Sequence, residues 1–159
     1  MAYHDELLEH AAGLVSKDDP SSADLRRAVS AAYYALFHLL ISKTVAHWSH
    51  VESRDDLARM FDHRVMKAAS KSVLNEKQNP FQGGDATTVR QLRAVAQAFI
   101  DLQEKRNTAD YDNAAQCTHT EAERALRIAA RAFDSWESIE NQAMAQNYLV
   151  SLLIKPRQS

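Results

Sequence analysis

The sequence predicts an all-α fold, an up-and-down bundle of four to five helices forming one domain over residues 1–159. Three observations carry that prediction. The chain holds only 3 Gly and 3 Pro, so long uninterrupted elements form easily and a turn-rich β fold is disfavoured. Alanine and leucine are the commonest residues, and together with arginine, glutamate and glutamine they make up nearly half of the chain; these residues lose least on entering a helix. Apolar residues also recur at three- and four-residue spacing in one stretch after another. With 159 residues the chain is long enough to bury a core, and amphipathic helices joined by short loops bury their stripes best against each other.

The first helix runs from about Ala2 to Lys17, with Leu7, Ala11, Leu14 and Val15 at helical spacing, and Asp18, Asp19 and Pro20 stop it. Ser21 to Asp24 has the capping-box pattern, in which each side chain satisfies an amide near the other. The second helix then extends from about Ser22 to Trp48, and its middle, Ala28 to Ile41, is apolar almost all round, as a central helix should be. Ser53 to Asp56 repeats the capping pattern and opens a third helix reaching Leu74, with Leu57, Phe61, Val65, Ala68 and Ala69 as its stripe. Asn75 to Asp85, with Asn79, Pro80, Gly83 and Gly84, reads as a loop. The fourth helix spans about Ala86 to Asp112 and carries Val89, Leu92, Val95, Phe99 and Leu102 on one face. Thr120 with Glu123 caps the fifth, whose stripe is Leu126, Ala130, Phe133, Trp136 and Ile139. The tail 148–159 is apolar from Tyr148 to Ile154 and closes at Pro156; it reads as a last core or dimer-contact segment.

Nineteen basic against 21 acidic residues leave a net charge of −2, which is not the balance of a general duplex-binding protein. The single cysteine, Cys117, has no internal partner for a disulfide, so a reducing compartment is expected. No basic, apolar leader opens the chain, and no run approaches the ~20 apolar residues that span a bilayer. A soluble cytoplasmic protein without a membrane partner is the expectation.

The sharpest anomaly lies on the fourth helix. Val95, Phe99, Leu102, Arg106 and Ala109 step by four, three, four and three, so Arg106 stands on the apolar stripe. An arginine there must be paired or face a cleft, because an unpaired buried guanidinium is too costly. Asp110, one turn on, is a ready partner, so a structural ion pair and a ligand site both remain open. On the second helix Arg27, Ser30, Tyr34 and His38 form a polar ridge that either bonds to neighbouring helices or lines a groove facing Arg106. His47, His50, Glu52 and His63 lack the repeated Glu-x-x-His spacing of a bundle metal site, so neither metal nor cofactor is expected. Arg124, Arg127 and Arg131 share one side of the fifth helix and read first as a solvated face, with Glu121 and Glu123 nearby. Cys117 has no evident activating neighbour beyond His119.

Two segments carry a resemblance. Ala31-Ala32-Tyr33-Tyr34-Ala35-Leu36-Phe37 resembles the Ala-Tyr-Tyr-Ala-x-Phe signature of small HEPN-domain proteins, and Arg106-Asn107-Thr108-Ala109-Asp110-Tyr111 resembles the Arg-x-x-Ala-Asp-Tyr motif of the same group. Phe61-Asp62-His63 is similar to the segment that precedes the third helical stripe there. The resemblance implies a dimerising up-and-down bundle. It further implies a metal-independent ribonuclease or an RNA- or nucleotide-binding domain, often a toxin paired with a nucleotidyltransferase antitoxin. Arg106 and Asn107 match the first two elements of the family's active motif, but Tyr111 stands where its histidine belongs, and Ala31 replaces an arginine common before Ala-Tyr-Tyr.

The chemistry explains why the histidine matters. Metal-independent RNA cleavage needs a base for the 2′-hydroxyl proton and an acid for the leaving oxygen, each titrating near neutrality. Arginine stabilises charge developing on phosphate but is no base, and tyrosine, with an ordinary pKa of about 10, is a poor one. The expectation is therefore a homodimer with a catalytic set of Arg106, Asn107 and Tyr111 and a ligand-binding set of Arg106, Asp110, Tyr34, Arg27 and His38. The alternative is a non-catalytic interaction or accessory domain in which Arg106 and Asp110 only fix the bundle.

Overall fold

The computed structural model of the chain describes residues 1–75 and 84–155. The chain is all-α: 77% of the described residues are helical, and no strand occurs among them. Among the described residues seven α-helices follow one another: α1 (Tyr3–Val15), α2 (Ser22–Val45), α3 (Arg54–Ala58), α4 (His63–Leu74), α5 (Ala86–Tyr111), α6 (His119–Ile139) and α7 (Ala143–Ser151), with one 3-10 turn at Val51–Ser53. Of the expected loop, Asn79, Pro80 and Gly83 lie outside the described residues, as does Pro156.

The contacts divide the chain into two units: Met1–His38 with Ala98–Asp134, and Leu39–Gln97 with Ser135–Ser159. The first unit holds α1, the first part of α2, the second half of α5 and most of α6. Their directions follow from the side chains that meet. Tyr3, at the start of α1, packs edge-on against His38 of α2, with ring centres 4.9 Å apart. His4 meets Phe133 of α6 at 5.8 Å, while the carbonyl of Val15, at the other end of α1, accepts from His119 Nε2 at 2.9 Å. Arg26, near the start of α2, reaches the carbonyl of Ala109 at the end of α5, and Tyr33 packs on Phe99. Each of these neighbouring pairs therefore runs antiparallel, the up-and-down arrangement expected of short-looped amphipathic helices.

The start of α2 behaves as the sequence predicts. The Asp24 amide donates to Ser21 Oγ at 3.0 Å, and the Ser21 amide donates back to Asp24 Oδ2 at 2.9 Å. The middle of α2 is buried from Ala31 to Phe37 apart from a half-buried Tyr34. By length and composition alone α2 could cross a membrane, yet 61% of its most apolar window is buried within the protein, as in a core helix.

The capping box expected at Thr120 and Glu123 forms two residues earlier. The Glu121 amide donates to Thr118 Oγ1 at 3.1 Å, and the Thr118 amide donates to Glu121 Oε2 at 3.2 Å. Both pairs fit the pattern; the earlier one is used, and Glu123 instead lies 3.5 Å from the His119 ring. The buried stripe of α6 is also shifted. Ala122, Ala125, Ala129 and Ala132 are buried with Trp136 and Ile139, whereas Leu126, Ala130 and Phe133 are half-buried. Large residues set the expected phase, but the small alanines allow the closest approach and take the inner face.

In the second unit the expected third helix is broken. Ser53 makes no side-chain cap, and its hydroxyl bonds to the His50 ring at 2.8 Å. Asp62 adopts an extended backbone and accepts from the amides of Arg64 and Val65 at 2.8 and 3.1 Å, so it caps a new helix, α4. The inner face of α4 is Met66, Ser70 and Val73, while the expected Val65, Ala68 and Ala69 are half-buried beside it. The apolar tail belongs to α7, which begins at Ala143 and buries Met144, Ala145, Tyr148 and Leu149. Within this unit the Tyr148 hydroxyl meets Ser70 Oγ at 2.8 Å, docking the tail on its own chain.

Candidate functional site

The last two turns of α5 and the polar ridge of α2 converge in the first unit, and they bring together the two segments on which the HEPN resemblance rests. Val95, Phe99, Leu102 and Ala109 are buried, as the stripe requires. Arg106, on the same stripe, keeps 14% of its side chain exposed, and Asp110 keeps 28%.

The guanidinium is held from several sides. Its Nη2 donates to the Tyr34 hydroxyl at 2.6 Å and its Nη1 to Asn107 Oδ1 at 3.0 Å. Nε lies 3.1 Å from Asp110 Oδ2, an ion-pair distance, but the N–H is not aligned for a hydrogen bond. Three rings surround the charge: the guanidinium carbon is 5.7 Å from the centre of Tyr33, 5.2 Å from Tyr34 and 5.4 Å from Tyr111. Such distances permit cation–π attraction, stronger at the buried Tyr33 and half-buried Tyr34 than at an exposed ring. Burial pushes the Tyr33 phenol well above its ordinary pKa, and the neighbouring Arg106 charge pulls against that shift.

Ser30 joins the cluster, its hydroxyl donating to Asp110 Oδ2 at 3.3 Å. His38 stands one turn beyond Tyr34, with ring centres 6.2 Å apart, and packs on Tyr3. Asn107, Asp110 and Tyr111 are exposed, Tyr111 by 71%. Arg27 is exposed on α2, and none of the bonds around Arg106 involves it.

The neighbour of Arg27 does what sequence reasoning missed. Arg26 Nη1 donates to the carbonyls of Ala109 at 2.8 Å and Asp112 at 2.9 Å, and Nη2 donates to that of Ala115. One side chain thus satisfies carbonyls at and just beyond the end of α5, where a helix leaves its acceptors unpaired. A signal for it existed. The last turn of α5 has no basic residue, although a cation is favoured at a helix C-terminus, so the charge has to come from another element.

Among the described residues no three His, Cys, Asp or Glu side chains gather as a metal site would. His50 instead lies 3.8 Å from Glu52 and bonds to Ser53. No family model matches the chain, and comparisons with curated proteins and with solved structures find no significant match.

Proposed function

We propose that this chain is a HEPN-like domain that acts as a homodimer and holds the phosphate of RNA or a nucleotide at the end of α5. The observation that supports this is a guanidinium fixed in place by Tyr34, Asn107 and Asp110 while Asn107, Asp110 and Tyr111 remain open to solvent. A guanidinium carries five N–H donors, so fixing it this way leaves donors for a ligand oxygen. In this reading Arg106 is the anchor, Asn107 and Tyr34 orient it, and the exposed Tyr111 ring flanks the ligand. Tyr111 also occupies the position of the family's histidine, so the set lacks the usual base and binds without efficient cleavage. The setting is cytoplasmic, and a nucleotidyltransferase antitoxin is the protein partner that the resemblance implies.

A second reading rests on the same cluster. Because Asp110 lies 3.1 Å from Arg106 and two further residues accept its N–H groups, the constellation also satisfies itself, as in an accessory domain that binds no phosphate.

The test compares wild type with Arg106→Ala, after circular dichroism shows equal folding, for binding of labelled single-stranded RNA and for its cleavage in EDTA. The expected outcome is binding by wild type, at least about tenfold weaker binding by the variant, and no cleavage by either. Cleavage by wild type alone would make the domain a metal-independent ribonuclease. Equal binding, or none by either, would hand the case to the accessory-domain reading.

A further inference from the structure

The side of α5 turned away from Arg106 borders a cleft of about 660 Å³ in the first unit. At 100° per residue, Asp101 and Thr108 project some 140–160° from Arg106, and Lys105 about 100°. The opposite wall is the start of α6 with the connection before it, and α2 supplies Arg26 and Val29. The volume lies within the range of small-molecule sites.

The walls carry three cations and three acids, but most of these charges are already engaged. Arg26 is spent on the carbonyls at the end of α5. Glu121 closes the capping box of α6. Asp101 and Glu104 have partners of their own. Lys105 and Arg124 are different: among the described residues neither is engaged by an acid or an acceptor. Each therefore keeps its full hydrogen-bonding capacity at the cleft. The Thr108 hydroxyl and the Gln116 amide add uncharged polar groups to the same walls. Val29, Ala109 and Ile128 also line the cleft, so apolar atoms stand beside these polar groups.

We propose that this cleft is a second ligand site, independent of Arg106, which takes a small organic anion. One carboxylate or phosphate head sits between Lys105 and Arg124, and an apolar body lies over Val29, Ala109 and Ile128. The three acids on the same walls repel any further anionic group beyond that head, which selects a single head over a polyphosphate or a nucleic-acid backbone.

Cys117 also lines the cleft and is the sole cysteine, so its alkylation reports occupancy. The rate of iodoacetamide modification is measured on the full chain with phenyl phosphate or benzoate titrated into the millimolar range. The two probes separate a phosphate head from a carboxylate head. The expected result is saturable protection by at least one probe. That protection needs about tenfold more probe in the Lys105→Gln/Arg124→Gln variant and is unchanged in Arg106→Ala. Both replaced side chains lie outside the core, and circular dichroism checks that the variant is folded. No protection by either probe, protection that survives the double substitution, or protection that disappears in Arg106→Ala would each overturn the proposal. The last outcome would place the anion at the end of α5 instead.

Discussion

Replacing Arg26 by alanine tests whether one side chain closes the end of α5. Arg26 donates to three carbonyls, two of them part-buried (Ala109 and Ala115) and one exposed (Asp112). A hydrogen bond from a charged donor contributes about 1.5–3 kcal/mol. Water replaces the exposed bond at little cost, and it reaches the part-buried carbonyls only in part. The expected loss is therefore about 2–4 kcal/mol, a large share of the ~5–15 kcal/mol that stabilises a typical domain. Lysine keeps the charge but not the fork of donors, so Arg26→Lys should lose about half as much. Urea unfolding followed by circular dichroism reads the loss as a lower midpoint at unchanged slope. Amide exchange adds a local reading. The Asp112 amide, bonded to the Thr108 carbonyl at 3.0 Å, should exchange faster in Arg26→Ala. Arg27→Ala, one residue along on an exposed side chain, is the control and should stay within about 0.5 kcal/mol of wild type. If Arg26→Ala behaved like that control, or Arg26→Lys like wild type, the guanidinium would not be what holds this helix end.

Two further expectations follow from buried and capping groups. Ser70 Oγ donates to the Met66 carbonyl at 2.8 Å, which leaves the Tyr148 hydroxyl as donor in their 2.8 Å bond. Ser70→Ala should cost about 1–3 kcal/mol by stranding that fully buried hydroxyl, and adding Tyr148→Phe should recover part of the loss in thermal unfolding. At the start of α2, the Ser21 amide, then Lys17 and the Ser21 hydroxyl, hold the Asp24 carboxyl below its ordinary pKa. A pKa lowered by folding contributes stability above the unfolded value, about 3.9, and that contribution disappears as pH falls toward the folded value. The stability difference between wild type and Asp24→Asn should therefore shrink as pH drops below about 4, measured by urea midpoints across that range.

What the sequence disclosed depended on how strongly each feature is fixed by local chemistry. The Ser21–Asp24 box is legible because both partners lie within one turn, and the pairing of Arg106 with Asp110 is legible for the same reason. The start of α6 was ambiguous because Thr118–Glu121 and Thr120–Glu123 fit one pattern, and nothing local ranks them. The break before α4 follows from Asp62 capping against an apparently continuous stripe, a competition that hydrophobic periodicity does not register. The inner face of α6 is hard to place because periodicity weights size, whereas the small alanines Ala122, Ala125 and Ala129 are the fully buried residues. Arg26 was hidden for a third reason. Its acceptors lie more than eighty residues away, so only the absence of a cation in the last turn of α5 hinted at it.

Charge balance decides how the Arg106 cluster would hold a phosphate. Asp110 stands 3.1 Å from the guanidinium, so the pair presents almost no net charge to a distant anion. Two such clusters in a dimer would add none either, and the whole chain carries −2. Long-range steering, which gives lysine-rich nucleic-acid binders their steep salt dependence, has little to act on here. Affinity must then come from contacts made at close range: the guanidinium donors left over by Tyr34 and Asn107, and the exposed face of Tyr111, on which a base can stack. Recognition built this way depends on the ring and the fork together, so it favours a short, single-stranded or mononucleotide ligand over the uniform phosphate rails of a duplex.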